Sequence, residues 1–479
     1  MPDEAKYAPF ICSCLLAVFL FSPGFGQTAG NLSARATPSV VVVEGGTLID
    51  GTGAPPVANA AILIENGRIQ QIGKQGEFNI PAGSRVIQAD GKYIIPGLID
   101  SHVHYDMPWL HRLYLANGVT TVRDLGGSIE RLMTLRQEIA VGNILAPRLF
   151  ISGVPINPGS VRAMNLDSAR EMATMLVEAG VDGIKVTGYT SDELREIVEV
   201  AHANGLIVYG HTGPKRGGRA PGARLAVEAG LDGIEHALGV LEDSMGKDVT
   251  VPADYDPESR DHIFRFWYGR MYTEVDSSKV DSLIQLMVEN NVYFAPTLVN
   301  FERNFVLRNT PELETDPALQ YIPEDEPPRF GPFGSADREN WRKTLDMMKE
   351  ITGKFQKAGG LLIAGTDSPG AALPGWSVHQ EMELFVQAGI SPMEALQAAT
   401  LNNARVLNKQ RDLGTLEPGK YADLVILDAD PLEDITHTQE IHLVIKDGLV
   451  LDPGVLLKQN IEQFGARGER SFDRSKPTQ

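Results

Sequence analysis

Cysteine is nearly absent from this chain of 479 residues. Its two cysteines, Cys12 and Cys14, both lie within the first 30 residues. We expect this segment to be removed, and the mature protein would then contain no thiol. That excludes disulfides, a cysteine nucleophile and cysteine-ligated zinc. A bound metal would have to be held by histidine, by carboxylate or by a modified side chain.

Long apolar runs are also scarce, and the strongest one, near the N-terminus, is short. A lysine precedes an apolar stretch from Phe10 to Phe21, and small residues follow it. This pattern predicts a signal peptide at residues 1–26 and export to the periplasm or the medium. An uncleaved N-terminal anchor is the alternative, because acidic residues weaken the start of the segment. No later segment resembles a transmembrane helix, so we expect no stable membrane insertion after cleavage.

Basic residues are also few compared with acidic ones. The chain has 43 Lys and Arg against 62 Asp and Glu, a formal net charge of -19. Such an excess of acidic residues argues against nucleic acid and anionic membrane surfaces as partners. With 43% hydrophobic and 22% charged residues, the composition is that of an ordinary globular protein with a large core.

Two β-rich regions lie at opposite ends of the sequence. Residues 39–95 have the pattern of short strands and contain the hairpin signal Asn66-Gly67, and residues 411–455 have the same character with a turn at Asp447-Gly448. We predict that both regions build one small composite β-sandwich. Residues 456–479 are assigned to a C-terminal tail.

Between these regions, residues 96–410 alternate short apolar strands with helical patterns, which is typical of βα units around a parallel sheet. Long irregular inserts at about 239–275 and 300–336 are expected to cover an active site. Eight strand candidates predict a closed (β/α)₈ TIM barrel. They are IIPGLID, VTTVRD, RLFISG, GIKVT, LIVYGH, GIEHA, VYFAPTL and LLIAGTD.

Titratable residues stand at the ends of five of these strands. The active site of such a barrel lies at the C-terminal ends of its strands, so these side chains would share one rim. Each residue alone has a structural explanation, such as a core histidine or a helix cap. Six of them in phase with the strand repeat predict a metal site. They are His102, His104, Lys185, His211, His236 and Asp367.

Longer motifs carry a family resemblance. They are PGLIDSHVH, GVTTVRDLGG, GIEHA, AGTDSP, MEALQAATLNNARVLN and LGTLEPGKYADLVILDADP. Together they resemble the amidohydrolase superfamily over residues 39 to about 455. The chain is most similar to the branch of imidazolonepropionase-related enzymes and exported Xaa-Pro or Xaa-Arg/Lys dipeptidases. The motifs are specific for the superfamily and much less specific for a substrate.

The resemblance implies a two-metal site. In family members with a lysine at the position of Lys185, that side chain is carboxylated by CO2 and bridges two divalent ions, of which zinc is the first choice. A hydroxide between the ions would be the nucleophile, and Asp367 would be the catalytic residue that passes its proton to the leaving nitrogen. The other ligands would be divided between the two ions: His102, His104 and Asp367 on one, His211 and His236 on the other.

Further residues near the ligands are candidate substrate contacts. Many relatives have a second histidine two residues beyond His211, where this chain has Gly213, so the analogy to their substrates weakens. A basic loop after His211 could bind a substrate carboxylate, with a solvated loop as the alternative. The candidate substrate contacts are Tyr189, Arg123, Lys215, Arg216 and Arg219. Asp100 is expected to orient the groups around the ligands.

Three functional hypotheses follow. The first is an exported binuclear hydrolase that cleaves an amide C–N bond in a dipeptide, N-acyl amino acid or related small amide. The second is a mononuclear cyclic-amide hydrolase or deaminase in which Lys185 is unmodified. The third is a catalytically inactive barrel used as a binding module, against which the retention of all candidate ligands argues. Relatives are often oligomeric, so a homo-oligomer is left open.

Overall fold

The structure is a computed structural model of the chain. It describes residues 40–157, 165–213, 221–245, 273–326, 328 and 338–465. The predicted signal peptide, the end of the C-terminal tail and parts of both inserts lie outside the described residues. Within the described ranges, no helix has the length and apolar character needed to span a membrane.

Both predicted end regions contribute to one eight-stranded sheet. The strand order is β15-β14-β13-β5-β1-β2-β3, with β4 paired to β1. The two regions join where β5 and β13 pair antiparallel. A second sheet, which would make this a sandwich, stays a prediction. The strands are β1 Val40–Leu48, β2 Val57–Glu65, β3 Arg68–Lys74, β4 Arg85–Gln88, β5 Tyr93–Pro96, β13 Leu424–Leu427, β14 Ile441–Lys446 and β15 Leu449–Leu451.

Both predicted two-residue turns close hairpins of this sheet. Asn66 and Gly67 have φ of 53° and 74°, and Asp447 and Gly448 have φ of 50° and 76°. Two successive residues with positive φ match the twist of the flanking strands, which is why Asn-Gly and Asp-Gly are favoured there. The two turns also touch, since a Cβ on Gly67 would lie 2.9 Å from the carbonyl oxygen of Asp447.

The middle of the chain supplies two parallel sheets. Isolated parallel bridges connect them, from Ile156 to Val186, from Phe294 to Leu362 and from Val103 to Ser368. The pairing therefore passes through eight chain segments and returns to the first, as expected of a TIM-barrel-type α/β fold. The strands are β6 Leu98–Val103, β7 Val119–Asp124, β8 Arg148–Ile151, β9 Ile184–Val186, β10 Val208–Gly210, β11 Gly233–Glu235 and β12 Tyr293–Ala295.

Two predicted strands differ from the observed ones. The run IIPGLID is divided at Gly97, so that its first half belongs to β5 of the end sheet and its second half to β6 of the barrel. A side chain at this junction would collide with Thr120, whose Oγ1 lies 2.3 Å from the place of a Cβ on Gly97. The run LLIAGTD forms a single bridge at Leu362 rather than a regular strand, and a second bridge follows at Ser368, directly after it.

Helices follow the strands, and several of them have side-chain N-caps, including α3 (Leu166–Ala179) and α4 (Ser191–Ala203). The side chain of Asn165 accepts from the backbone N–H of Ser168, and that of Thr190 accepts from the N–H of Glu193. The helices are α1 Leu110–Ala116, α2 Ile129–Ala140, α3 Leu166–Ala179, α4 Ser191–Ala203, α5 Ala223–Glu228, α6 Leu238–Asp243, α7 Ser277–Glu289, α8 Leu298–Phe301, α9 Pro311–Glu314, α10 Arg338–Lys357, α11 Trp376–Gln387, α12 Pro392–Ala398, α13 Leu401–Val406 and α14 Pro453–Phe464. Short π and 3₁₀ turns lie at Glu302–Val306, Pro317–Tyr321 and Ile435–Gln439.

Candidate functional site

The predicted ligands lie together at the exits of the barrel strands. Asp367 Oδ1 lies 3.1 Å from His104 Nε2 and 3.4 Å from His102 Nε2, and its Oδ2 lies 4.0 Å from His236 Nε2. The amine of Lys185 is 3.2 Å from His102 Nε2, and the rings of His211 and His236 are 4.6 Å apart between centroids. We call these residues the rim cluster: His102, His104, Lys185, His211, His236 and Asp367.

The donor set of the rim cluster fits a divalent metal. His102, His236 and Asp367 each offer one ligand atom, and these atoms lie within 4.8 Å of one another. Neutral imidazole nitrogens and carboxylate oxygens are the donors that zinc and similar ions take in proteins. The residues that are present could therefore hold such an ion.

A buried carboxylate, Glu235, orients His102. Its Oε2 lies 2.7 Å from His102 Nδ1, and its Oε1 accepts hydrogen bonds from Arg123 Nη2 at 2.7 Å and from the hydroxyl of Tyr293 at 2.8 Å. Burial alone would raise the pKa of Glu235, but the charges of Arg123 and His102 lower it to about 2. The ionised carboxylate can only accept, so His102 donates through Nδ1 and turns Nε2 towards Asp367.

The tautomer of His236 follows from one hydroxyl. His236 Nδ1 lies 2.7 Å from Thr297 Oγ1, and that hydroxyl donates to the carbonyl oxygen of Pro296 at 2.8 Å. A hydroxyl has a single proton to give, so it must accept from His236 Nδ1. In the neutral ring the lone pair is then on Nε2, the atom that faces Asp367.

Three residues of this site have a strained backbone. His236, Thr297 and Asp367 have φ of 70°, 51° and 60°, in the left-handed region that side chains with a Cβ rarely adopt. Such residues cost free energy and persist where the surrounding structure holds them, most often at functional sites. All three lie within the contacts described above.

Asp100 ties together the two segments that carry His102 and Asp367. Its Oδ1 accepts from the backbone N–H groups of Thr366 at 3.1 Å and His102 at 3.3 Å, and its Oδ2 accepts from Thr366 Oγ1 at 2.6 Å. Burial raises the pKa of Asp100 to about 7. Asp367 behaves in the opposite way: despite its burial, the neighbouring imidazoles of His102 and His104 hold its pKa well below the usual range.

Two predicted substrate contacts point into the protein. Arg123 is 2% exposed, and its guanidinium donates to the carbonyl oxygen of Ser101, to the hydroxyl of Tyr293 and to Glu235. Tyr189 is fully buried and its hydroxyl donates to the carbonyl oxygen of His211 at 3.0 Å. Both side chains are buried and hold groups around the ligands, and a direct contact with a substrate stays a prediction.

The other predicted substrate contacts cannot be placed. Lys215, Arg216 and Arg219 lie outside the described residues.

Some residues of the site were not predicted from the sequence. Glu235 precedes His236 directly, and an acidic residue inside the apolar strand GIEHA was the signal for it. Thr297 and Asn300 follow β12, and their place after a barrel strand was the signal for them. Asn300 Nδ2 donates to Asp367 Oδ2 at 2.8 Å and so fixes that carboxylate.

A cavity of about 320 Å³ opens beside His104. The loop that follows Asp367 forms one wall of it. This volume is in the range of pockets that hold small molecules. Its apolar side chains include Met107, Trp109, Ile322 and Leu373, and its carboxylates are Asp106, Asp124 and Glu326.

Solved structures support the fold. A candidate prolidase from Bifidobacterium longum is 26% identical with a TM-score of 0.66, covering 88% of this chain and 99% of that one. A Xaa-Pro dipeptidase with methionine bound in its active site is 22% identical with a TM-score of 0.63, covering 86% of this chain and 100% of that one. The second likeness concerns the fold alone.

Sequence comparison places the chain in a family. Adenine deaminase 3 of Rhizobium meliloti is 23% identical over 443 residues, covering 88% of this chain and 59% of the relative. The chain thus spans about three fifths of the length of the curated relatives that it matches over most of its own length. The model of the amidohydrolase family matches residues 93–451, well over half of the chain. The resemblance found in the motifs is confirmed, and the chain belongs to the amidohydrolase family of enzymes.

Proposed function

We propose that this protein is an exported hydrolase that cleaves an amide C–N bond in a dipeptide, an N-acyl amino acid or a related small amide, using two divalent metal ions. The observation that carries the proposal is the rim cluster, in which imidazoles, a carboxylate and a lysine from separate strands converge. His102 and His236 each have Nδ1 bound to an acceptor and Nε2 turned towards Asp367.

The metal ions, zinc as first choice, would be held by residues of the rim cluster. His102, His104 and Asp367 would hold one ion, and His211 and His236 the other. Such ions lower the pKa of water to near neutrality and polarise a carbonyl group. Relatives in the amidohydrolase family make this metal requirement the expected one.

Lys185 is proposed to be carboxylated and to bridge the two ions. Its side chain is 3% exposed and its amine stands against His102 Nε2 at 3.2 Å. A buried ammonium at that place would oppose the binding of a cation by the same histidine. Reaction of the amine with CO2 releases a proton and replaces the cation with a carbamate anion, which is a suitable metal ligand.

Asp367 is proposed as the catalytic residue. In hydrolysis it accepts a proton from the attacking water and delivers it to the departing nitrogen, which an amide needs in order to leave. Asn300 binds Oδ2 of this carboxylate, so Oδ1 is the oxygen that faces His104. Hydrolysis in this way forms no covalent intermediate with the enzyme.

The size of the substrate is suggested by the cavity beside His104. Its volume of about 320 Å³ suits a small molecule. The structural neighbour named as a prolidase supports a dipeptide or a similar amide.

Deamination or cyclic-amide hydrolysis with one metal is the second candidate. Curated sequence relatives carry the name adenine deaminase. In addition, His102, His236 and Asp367 by themselves form a compact donor set for a single ion. In this case Lys185 would remain unmodified.

The deciding experiment is metal analysis of protein produced with zinc and bicarbonate, together with Lys185→Ala. We expect about two ions per chain in the parent, a loss of metal and of hydrolysis in Lys185→Ala, and no change in the control Lys357→Ala, which alters an exposed lysine of α10. Activity is measured on a panel of dipeptides, N-acyl amino acids, cyclic amides and adenine. One ion in every variant, with activity unaffected, would overturn the bridged site and favour the second candidate.

A further inference from the structure

The short helix α8 delivers two side chains to the rim cluster. Thr297, immediately before the helix, accepts from His236 Nδ1, and Asn300, within it, donates to Asp367 Oδ2. The position of α8 therefore decides how two of the proposed metal ligands are oriented. What holds this helix in place is a carboxylate from elsewhere in the chain.

That carboxylate belongs to Glu381 of α11, whose side chain is fully buried. Glu381 Oε1 accepts from the backbone N–H of Leu298 at 3.0 Å, and its Oε2 accepts from that of Val299 at 2.7 Å. These are the first two N–H groups of α8, and the first N–H groups of a helix have no partner inside it.

The first N–H groups of a helix are often capped by the side chain of the residue just before it, but this is not the case for α8. The residue before α8, Thr297, makes no side-chain cap to the helix. Its hydroxyl is instead engaged with His236 and with the carbonyl oxygen of Pro296. Thr297 binds the histidine and leaves the helix uncapped, and the cap comes from Glu381, 83 residues away from Leu298 along the chain.

We propose that Glu381 is a positioning residue of the metal site, which acts by binding the first N–H groups of α8 and thereby fixes Thr297 against His236 and Asn300 against Asp367. This inference rests on the proposed function, because it concerns the affinity of the rim cluster for metal. Glu381 itself touches no residue of that cluster in the contacts described here.

The cost of burying this polar group argues for more than packing. Burial raises the pKa of Glu381 to about 8, and Asp100 and Glu302 act in the same direction, whereas the N–H groups of Val299 and Leu298 lower it. An apolar side chain would fill the same space between α11 and α8 without that penalty. A carboxyl group has two oxygens and can accept from both adjacent N–H donors, of Leu298 and Val299.

The test compares Glu381→Gln with Glu383→Gln. Glutamine keeps the volume, but its amide nitrogen cannot accept a hydrogen bond, so one N–H of α8 loses its partner. Glu383 lies on the same helix and accepts from Gln439 instead, which makes it a matched control. With zinc as the probe and a chromogenic chelator as competitor, we expect about tenfold weaker binding in Glu381→Gln and parent-like binding in Glu383→Gln.

A double-mutant cycle with Thr297→Val separates positioning from a general loss of structure. Valine keeps the shape of threonine and removes the hydroxyl that accepts from His236. If Glu381 acts through α8, the double variant loses less zinc affinity than the product of the two single losses. Independent losses that multiply would overturn the inference, as would parent-like zinc binding in Glu381→Gln.

Glu381→Asp provides a second variant if the glutamine variant does not fold. It keeps both acceptor oxygens and withdraws them by one methylene group, so zinc affinity should again fall, and unchanged affinity counts against the inference. Failure of the proposed function has a different signature. A folded parent that binds no zinc overturns the proposed function and this inference together, whereas zinc binding and hydrolysis unaffected by changes at Glu381 overturn the inference alone.

Discussion

Two arginines on neighbouring barrel strands have similar surroundings, but their carboxylate partners contact different parts of the protein. Arg123, near the end of β7, donates to Glu235 at 2.7 Å. Arg148, at the start of β8, lies 3.1 Å from Asp423 and 2.6 Å from Asp447, and its guanidinium stands 4.0 Å over the ring of Tyr421. In both cases burial alone would lower the pKa of the guanidinium, and the neighbouring groups raise it instead.

The difference lies in what the carboxylate partners touch. Glu235 binds His102 of the rim cluster, whereas Asp423 and Asp447 belong to the end sheet that Arg148 joins to the barrel. The carboxyl ends of barrel strands carry the chemistry, and the amino ends carry stability. We call the group of Arg148, Asp423 and Asp447, at the opposite end of the barrel from the rim cluster, the base. We therefore expect changes in the rim cluster to affect metal binding and the rate of hydrolysis, and changes at the base to affect the free energy of unfolding.

The largest expected effect is at the rim. Asp367→Asn should lower kcat/KM by roughly a thousandfold, because asparagine can neither accept the proton nor serve as an anionic ligand. Asp423→Asn at the base is the matched change and should leave kcat/KM close to that of the parent while lowering the melting temperature. Steady-state kinetics and thermal melting of both variants check this, and equal rates in the two would contradict the division.

A buried histidine of α11 predicts a pH effect on stability. His379 lies between Thr438 and the carbonyl oxygen of Asn117, and burial lowers its pKa to about 4. The unfolded chain takes up a proton at about pH 6.5 and the folded chain does not until about pH 4, so stability falls as the pH is lowered through this window. The loss from His379 should reach about 3 kcal/mol.

Denaturant unfolding across that pH range provides the measurement. His379→Gln should flatten the dependence, and the control His442→Gln, which alters a partly exposed histidine, should keep it. The buried His111, whose pKa is also lowered to about 4, leaves a residual slope in both. A slope unchanged by His379→Gln would show that the histidine is protonated in the folded protein.

Substitutions at Glu235 and Arg123 can separate the effect of this pair on zinc affinity from its effect on stability. Glu235→Gln should weaken zinc binding roughly 10- to 100-fold, because His102 loses its anionic acceptor. It should also destabilise the protein, because Arg123 is left as a buried charge without its carboxylate. Adding Arg123→Met should recover stability without recovering zinc affinity. Recovery of both would mean that Glu235 acts on folding alone.

Much of this division could be predicted from residue patterns. Side chains alternate along a strand, which predicts that His102 and His104 share one face. The regular spacing of strand ends predicts that all six residues of the rim cluster lie at one rim. The strand VTTVRD and the turns at Asn66 and Asp447 depend on local propensity, and they form at the expected places.

The residues that orient the ligands depend on contacts between distant segments. His102 and Glu235 are 133 positions apart, and Glu381 is 83 from Leu298. A periodic pattern reports which face of a strand is buried but not which distant side chain lies against it. For the same reason Arg123, at the end of the second barrel strand, is predicted to contact the substrate, although its guanidinium donates to Glu235 inside the protein.

The smallest expected effect is at the base, where Arg148 joins the sheet to the barrel. Arg148→Met should lower the free energy of unfolding by about 2 kcal/mol, less than for a fully buried pair because the arginine and Asp447 are partly exposed. Methionine retains part of the contact with Tyr421, so the change isolates the charge. Zinc affinity and kcat/KM should match the parent, since no contact described here leads from Arg148 to the rim cluster. A loss of zinc affinity in Arg148→Met would show that the two ends of the barrel are coupled, and the division drawn between them would have to be abandoned.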